Sequence, residues 1–395
     1  MRQRLAAIAL AGVLVSAATV TSSAVESTTY VARARRGVSL TSAAAAVSAT
    51  GARVTGTVES LRLLQVEAGP GAAQALRSSE ALAWMHREGL LHFAGVRPND
   101  PLFPDQWPLR TMDALRGWRV ERGTGSDVVV AVVDSGVDYS HPDLQARMVA
   151  GFDFVNRDDD PVDDNGHGTH VAGIVAAEPD NGTGVAGVSW GARVMPLKAC
   201  PEDDGCGMFD VAAAIAYAIQ GGAKVVNLSL GGAAGGCPTE LALAATLAER
   251  RGVLLVASAG NSAGDGNPVM YPAACDGYVA VGATSADDRW APFSEYGDYV
   301  DLSAPGVAVP STIPPGLAGM TDSPTTPGYG PADGTSMAAP HVSGLAALLF
   351  ALHPDWTPLQ VEEHMEKTAV DLGTRGADDY FGAGRISIGR ALAGS

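Results

Sequence analysis

Long apolar runs and charged residues are both scarce in this sequence. Apart from residues 5–20, the sequence shows no apolar run that we expect to cross a membrane, which takes about 20 residues. Charged residues make up 17% of the 395 positions and hydrophobic residues 46%, and Gly plus Pro stays below the roughly 25–30% of low-complexity chains. Collagen-like, coiled-coil and wholly disordered chains are therefore excluded. The length suits a globular protein of two or three domains, at about 150 residues each.

Basic residues are also few, with 26 Lys and Arg against 43 Asp and Glu, and they are unevenly spread. Residues 1–97 hold ten basic and five acidic side chains and carry +5, whereas residues 98–395 hold 16 and 38 and carry −22. An acidic body repels phosphate, so nucleic acid and anionic membranes are poor partners, while cations and basic peptides are favoured. The +5 segment is a candidate partner within the same chain.

The N-terminal segment has the pattern of a secretory signal. Arg2 and Arg4 flank the start of the apolar run, and small residues follow it at positions 22–24. The run is short and interrupted by Ser and Thr, which favours a removable signal over a membrane anchor. We expect residues 1–24 to be a signal peptide, and the mature protein to be secreted, extracellular, monomeric and free of the membrane.

Cysteine is rare, with four residues in the chain. Export favours disulfides, and four cysteines allow three connectivities. The preferred pairing joins Cys200 with Cys206 and Cys237 with Cys275. A zinc site is the other interpretation, which the lack of a CxxC pair disfavours.

The pattern of apolar residues divides the chain into two parts. Residues 25–97 read as a small α+β unit, with strands at 30–38, 61–67 and 90–93 and helices at 39–49 and 72–87. A proline-containing linker follows at residues 97–101. Residues 98–395 alternate apolar strands with helices, which predicts an α/β fold with a doubly wound, mostly parallel sheet. The predicted strands are 128–133, 194–198, 225–230, 253–258 and 279–283, and the predicted helices are 210–220, 239–251 and 336–352.

Polar residues follow the predicted strands where a parallel sheet binds its ligands, beyond the carboxyl ends. Asp134 follows the first of these strands, and Asn261 follows the strand at 253–258. Acyl transfer needs a nucleophilic hydroxyl, a base, a carboxylate to orient the base and donors for the oxyanion. Ser336 at a predicted helix start, His167 among glycines, Asp134 and Asn261 supply these four. Each alone has a simpler interpretation, as an N-cap, a turn residue or a loop amide.

Together these residues and the motifs around them resemble the subtilisin-like serine proteases. The order Asp, His, Ser is the subtilisin order. The resemblance runs from about Asn99 to the C-terminus and covers residues 133–138, 141–144, 165–173, 229–232, 259–261, 304–306 and 334–341. It implies a serine endopeptidase with Ser336 as nucleophile, His167 as general base, Asp134 as its partner and Asn261 as oxyanion donor.

The family resemblance also implies where a peptide substrate binds, as an added strand between two segments of the enzyme. One side is Ser229, Leu230 and Gly231. The other side is Gly205, Cys206 and Gly207. Ser258, Ala259 and Gly260 form a pocket wall with Met270 near its floor, which indicates an apolar side-chain preference.

Structural calcium is a further implication of the resemblance, and it suits the acidic composition. One predicted site uses Asp100, Asp143 and Asn181 with the carbonyls of Pro179, Thr183 and Val185. A second predicted site uses Asp153, Asp158 and Asp160, although this acidic run has an equally simple interpretation as a solvated loop.

By the same resemblance, residues 25–97 are a ferredoxin-like propeptide that assists folding and inhibits the active site until self-cleavage between about His92 and Asn99.

Two other hypotheses compete with the protease. One is a catalytically silent relative that binds peptides. The other is an α/β-hydrolase esterase, but that fold places its acid and histidine after the serine, where only 59 residues remain.

Overall fold

The computed structural model describes residues 28–88, 96–201, 205–317 and 326–395. The predicted signal segment lies outside the described residues, as do the predicted strand at 90–93 and part of the predicted processing region. The chain divides into two compact units between residues 93 and 94, a little before the boundary expected from the sequence. Each unit has its own apolar core.

The first unit is an antiparallel sheet with helices on the connections, in the strand order β2-β3-β1-β4. Its order of elements is that of a ferredoxin-like unit. The elements are β1 Thr28–Ala34, α1 Leu40–Ser48, β2 Arg53–Val58, β3 Leu63–Ala68, α2 Pro70–Arg77 and β4 Leu82–Arg87.

One sequence prediction in this unit is wrong, and one strand was not predicted. The helix expected over 72–87 ends at Arg77, and residues 82–87 instead form β4, which pairs with β1. The strand β2 was not expected, because it alternates small and polar residues and most of it is exposed. In both cases the pairing with neighbouring strands decides the conformation, since short segments have no strong preference of their own.

The second unit is built on a seven-stranded sheet whose described neighbours are all parallel, in the order β13-β12-β10-β8-β5-β7-β6. The first half of its elements is α3 Trp107–Thr111, α4 Ala114–Gly117, β5 Val129–Asp134, β6 Phe152–Asp153, α5 His167–Ala176, β7 Arg193–Lys198, α6 Met208–Gln220, β8 Val225–Leu228, β9 Gly232–Ala233 and α7 Thr239–Arg251. The second half is β10 Leu254–Ser258, β11 Met270–Tyr271, β12 Tyr278–Thr284, β13 Leu302–Pro305, β14 Val309–Thr312, β15 Tyr329–Ala332, α8 Thr335–Leu352, α9 Pro358–Thr368 and α10 Ile388–Ala393.

This sheet confirms the predicted α/β class. The five predicted strands correspond to β5, β7, β8, β10 and β12, which are its central members. Their near-continuous Val, Ala and Leu content fits strands that are covered on both faces. The edge strands β6 and β13 were not predicted, because they are only two and four residues long.

Helix α8 is the central helix of the second unit. It is long and apolar enough to cross a bilayer, but 83% of it is buried inside the unit. It packs against α5 and against the strands β8, β10 and β12, so its apolar surface is used by the core. The helix thereby carries its first turn, with Ser336, to the carboxyl ends of those strands.

Two disulfides close loops of the second unit, Cys200–Cys206 and Cys237–Cys275. This is the preferred pairing of the three connectivities. All four cysteines are oxidised, so the alternative zinc site has no thiolate to use.

Candidate active site

Asp134 and His167 meet at the carboxyl end of β5. Asp134 is the last residue of the strand, and its Oδ1 lies 2.7 Å from Nδ1 of His167, the first residue of α5. The backbone N–H of Ser135 donates to the same oxygen at 2.8 Å. Gly168 permits the approach, because a side chain there would collide with the carbonyl oxygen of Gly136.

The electrostatics of this pair suit a base that becomes a cation. Burial lowers the pKa of His167, but the charge of the Asp134 carboxylate and its hydrogen bond raise it, and the net pKa lies above the ordinary value. Asp134 is 3% exposed, so its charge is poorly screened by water. The carboxylate therefore both orients the imidazole and stabilises its protonated form.

A second carboxylate, Asp163, holds the turn that carries His167. Its Oδ1 accepts the backbone N–H groups of Asn165 and Gly166 and the hydroxyl of Ser135, at 3.0, 2.8 and 2.9 Å. Its Oδ2 accepts the backbone N–H of Thr169 at 2.9 Å. Sequence reasoning missed this residue because it stands in an acidic stretch that resembles a solvated loop. The sequence did contain one signal for it. Asp163 stands shortly before the start of a helix whose first turn contains a Thr, and an acidic side chain in that place can accept hydrogen bonds from the first turn.

Replacing Asp163 with Asn is expected to lower the free energy of unfolding by about 2–3 kcal/mol, since the amide NH₂ faces donors that the carboxylate now accepts. The kcat is expected to fall as well, because the turn positions His167. Chemical denaturation and peptide hydrolysis measure the two effects. Asp159→Asn, an exposed change in the same stretch, is the control, and equal effects from both variants would contradict the assignment.

Ser336 lies in the first turn of α8, joined to the end of β8 by reciprocal contacts. The Ser336 hydroxyl donates to the carbonyl oxygen of Ser229 at 3.2 Å, and the Ser229 hydroxyl donates to the carbonyl oxygen of Ser336 at 2.7 Å. The amide of Asn227 donates to the Ser229 hydroxyl at 2.9 Å and accepts the hydroxyl of Ser343 at 2.8 Å. In this structure the Ser336 proton is thus directed to Ser229. A turn of that hydroxyl is required before it can donate to a base.

Asn261 follows β10 and is fixed by the residue before Ser336. Its Oδ1 accepts the backbone N–H and the hydroxyl of Thr335 at 2.8 and 2.9 Å, so Nδ2 points the other way. A methyl group at Gly334 would lie 3.4 Å from Asn261 Nδ2 and 3.5 Å from the backbone nitrogen of Ser336. The amide nitrogen of Asn261, the predicted oxyanion donor, and the backbone nitrogen of Ser336 therefore both lie close to Gly334.

The predicted substrate-binding segments also come together. Gly205, Cys206, Leu230 and Gly231 line one cavity, whose remaining lining is Met208, Val211, Gly232, Leu241, Tyr271 and Pro272. Gly207 is the N-cap of α6 beside it. Met270 lies in β11, paired with β9, and faces both Gly231 and Gly260. Ser258 and Ala259 are buried at the end of β10, and Gly260 donates its N–H to the Thr335 hydroxyl at 3.1 Å.

The residues of the first predicted calcium site fit a hard cation. Asp100 and Asp143 are 3% and 0% exposed, and Asp100 Oδ1 has no hydrogen-bond partner. Burial raises the pKa of Asp100 to about 6, and burial also raises the pKa of Asp143. Asn181 and the N–H of Val185 contact Asp143 at 2.6 and 3.0 Å, and Pro179 and Thr183 belong to the same loop. Two buried carboxyl groups, one of them with an oxygen that has no hydrogen-bond partner, suit the oxygen coordination that calcium prefers.

The second predicted calcium site is not assembled. Asp153 accepts the backbone N–H groups of Val155 and Asn156 at 2.7 and 2.8 Å, so its carboxylate caps its own turn. The Asp158 carboxylate accepts a hydrogen bond from the backbone N–H of Asp160. The Asp160 carboxylate accepts a hydrogen bond from the Tyr139 hydroxyl. Within the described ranges, there is one group of three or more Asp, Glu, His or Cys side chains whose ligand atoms lie within 4.8 Å of one another. It consists of Asp301, Glu362 and Glu366.

Comparison with known proteins identifies the chain's relatives. The sequence profile described as "Subtilase family" matches residues 125–384. The chain is 40% identical over 303 residues to the thermophilic serine proteinase of Bacillus sp. (strain AK1), covering 76% of this chain and 70% of that one. It is 38% identical over 297 residues to thermitase of Thermoactinomyces vulgaris, covering 75% and 99%.

A solved structure agrees. Fervidolysin from Fervidobacterium pennivorans, described as a keratinolytic enzyme related to subtilisin, superposes with a TM-score of 0.66 at 27% identity. That match covers 94% of this chain and 61% of fervidolysin. With the profile match and these relatives, the chain belongs to the subtilase family and is a subtilisin-like serine endopeptidase.

Proposed function

We propose that this chain hydrolyses peptide bonds through an Asp134-His167-Ser336 triad. The supporting observation is the 2.7 Å contact between Asp134 and His167 at the sheet end where α8 also delivers Ser336. His167 Nε2 takes the Ser336 proton as the oxygen attacks the peptide carbonyl, and Asp134 stabilises the imidazolium through Nδ1–H. His167 then returns the proton to the leaving amine, and water releases the acyl-enzyme by the reverse sequence.

The oxyanion of each tetrahedral intermediate is proposed to bind Asn261 Nδ2 and the backbone N–H of Ser336. Both donors are fixed before the reaction, Asn261 by Thr335 and the N–H by the start of α8. Preorganised donors cost no reorganisation when charge develops, which is why they favour the transition state over the substrate. The positive end of the α8 dipole adds to this effect.

Residues 25–97 are proposed to form a propeptide. They hold eight basic and five acidic side chains and carry +3, against −22 for residues 98–395, so long-range attraction favours their association at low ionic strength. A separate compact unit ending near residue 93 supports this reading, as does a fervidolysin match that extends over 94% of the chain. We infer that residues 1–24 direct export, and that self-cleavage between about His92 and Asn99 releases a monomeric enzyme.

Ser336→Ala tests the triad and the processing together. Residues 25–395 are expressed as wild type and as the variant with calcium present, and intact mass and casein hydrolysis are followed over time. We expect only the wild type to split near residue 97 and then digest casein. If both proteins stay whole though folded, the triad proposal is overturned; if both split, another protease does the processing.

Calcium is proposed to bind at Asp100, Asp143 and Asn181, with the carbonyls of Pro179, Thr183 and Val185. Bound there, it neutralises two buried carboxylates. Asp180 already donates its N–H to Asp100 at 2.9 Å, so the site joins the segment around Asp100 to the loop at 179–185. Its role is therefore stability of the fold, and no catalytic step depends on it.

Calcium is expected to raise the Tm of the processed enzyme, by an amount that shrinks as pH falls through about 6, where Asp100 takes up a proton. The stabilisation reaches about 2.7 kcal/mol at a concentration about 100 times Kd. Without calcium, the free energy of unfolding is expected to fall as pH rises from about 4 through 6. Asp100 has a higher pKa in the folded protein than in the unfolded chain, so the proton that stabilises the fold is lost over this range. Asp143→Asn should abolish the calcium increment in thermal unfolding, whereas Asp158→Asn should keep it.

A further inference from the structure

Glu295 is a buried carboxylate without a partner. It is 0% exposed, and neither of its side-chain oxygens makes a hydrogen bond of normal geometry. Among the ion pairs of the described ranges none includes it. Burial raises the pKa of Glu295 to about 7, and the backbone N–H of Ser262 offsets only part of that rise. An ionisable group in such a place is costly unless a partner reaches it.

The carboxylate lies against the wall of the predicted substrate pocket. A side chain at Gly260 would overlap Glu295 Oε2 and would come within 2.7 Å of Met270 Cγ. A methyl at Gly231 would lie 3.8 Å from Met270 Cβ. Gly231 and Gly260 therefore both lie next to Met270. Glu295 Oε2 fills the volume beside Gly260 that a side chain there would occupy.

The direction of the Glu295 side chain is held by its backbone. The N–H of Glu295 donates to the carbonyl oxygen of Gly260 at 3.0 Å. The next residue, Tyr296, exchanges two hydrogen bonds with the side chain of Asn267, at 2.8 and 3.0 Å. Asn267 belongs to the loop that leads to Met270. The segment carrying the carboxylate is thus fastened to the pocket wall on both sides of Glu295.

We propose that Glu295 selects a Lys or Arg side chain at the substrate residue immediately before the scissile bond. The inference rests on the proposed function, because it assigns this pocket to the substrate of Ser336. The aliphatic stem of Lys or Arg packs along Met270 and the pocket walls, and its cationic head supplies the missing partner of the carboxylate. The Met270 floor that indicated an apolar preference then contacts the stem, while Glu295 sets the charge at its end.

The acidic surface favours the same substrates. The second unit carries most of the −22 charge, which raises the local concentration of basic peptides. Surface charge acts on every basic residue of a substrate, however, whereas Glu295 acts on one position. An experiment must separate the two, and the chain offers Asp298 for this purpose, an exposed acid three positions after Glu295.

Four peptides that differ only at the residue before the scissile bond test the proposal: Lys, norleucine, Arg and citrulline. Norleucine and citrulline keep the shape of Lys and Arg without the charge. The processed wild type is expected to show a higher kcat/KM for Lys than for norleucine and for Arg than for citrulline. Glu295→Gln is expected to lower both ratios about tenfold or more while leaving norleucine cleavage little changed. Asp298→Asn should leave both ratios unchanged.

Several outcomes overturn the proposal. A wild-type enzyme with a higher kcat/KM for norleucine than for Lys overturns it. This measurement needs no variant, so the test stays valid even where Glu295→Gln fails to fold. The proposal is also overturned if Glu295→Gln lowers kcat/KM equally for all four peptides. It is overturned as well if Asp298→Asn changes the Lys/norleucine and Arg/citrulline ratios as much as Glu295→Gln does. Labelling of Ser336 with a fluorophosphonate is measured in parallel. An enzyme that is labelled and cleaves norleucine without favouring Lys keeps the triad and loses only this inference, whereas an unlabelled enzyme that cleaves nothing refutes both.

Discussion

His167→Ala is expected to lower kcat for peptide hydrolysis by about 10⁶-fold, the order of magnitude known for the corresponding loss in subtilisin itself. Without the imidazole, no group accepts the Ser336 proton, and its hydroxyl stays hydrogen bonded to the Ser229 carbonyl. Single-turnover hydrolysis of a chromogenic peptide measures the effect. Since the proposed self-cleavage also requires His167, the variant is prepared by separate cleavage of the precursor.

His364→Ala is the control for this substitution. His364 is partly buried and contacts the carbonyl of Ala391 at 2.8 Å, away from the triad. Its loss should change the thermal stability and leave kcat nearly intact. A His167→Ala enzyme that kept more than about a hundredth of wild-type kcat would contradict the role of general base, because base catalysis alone supplies about 10²–10⁴-fold.

Asn261→Ala is expected to lower kcat by about 10²–10³-fold with little change in KM, a magnitude established at the equivalent asparagine of subtilisin. The amide acts on charge that exists only in the transition state, so substrate affinity is not its main contribution. The same change frees the Thr335 N–H and hydroxyl from Asn261 Oδ1. Asn261→Asp separates the two effects, since it keeps an acceptor for Thr335 and loses the donor for the oxyanion.

If Asn261→Asp retained most of the wild-type kcat, the amide would be a support for Thr335 and not an oxyanion donor. Hydrolysis rates at saturating peptide concentration, measured beside thermal unfolding, decide this. We expect Asn261→Asp to lose at least as much kcat as Asn261→Ala, because a carboxylate repels the developing negative charge. Its Tm should stay closer to that of the wild type.

The sheet of the second unit was predictable because its central strands are long and buried on both faces. Residues 129–134 and 278–284 contain almost only apolar side chains, a pattern that few other elements produce. The edge strands β6 and β13 lack this signal, since their pairing depends on which chain segment lies beside them. In the first unit, β4 was mistaken for the end of a helix for the same reason.

The residues of the proposed triad could be predicted from motifs, whereas Asp163 and Glu295 could not. Asp134, His167 and Ser336 stand in distinctive surroundings of glycines and small residues. Asp163 and Glu295 do not, because an acidic residue in a polar stretch is normally solvated. Only burial distinguishes them, at 6% and 0% exposed.

The second predicted calcium site also consists of acidic residues in a polar stretch. The family resemblance predicts calcium at Asp153, Asp158 and Asp160, whereas in the structure their oxygens accept hydrogen bonds from the surrounding turn and from Tyr139. The sequence shows which acidic side chains lie near one another along the chain. It does not show which backbone N–H groups will donate hydrogen bonds to their oxygens.

The parallel arrangement of β13-β12-β10-β8-β5-β7-β6 has a kinetic consequence. Every described pairing in this sheet joins segments that are distant in sequence, so the chain must close long loops before any strand is stabilised. Folding of the second unit alone is therefore expected to be slow. Under the propeptide function proposed for residues 25–97, that segment would lower the barrier once before its removal, and the lifetime of the released enzyme would then depend on its unfolding rate.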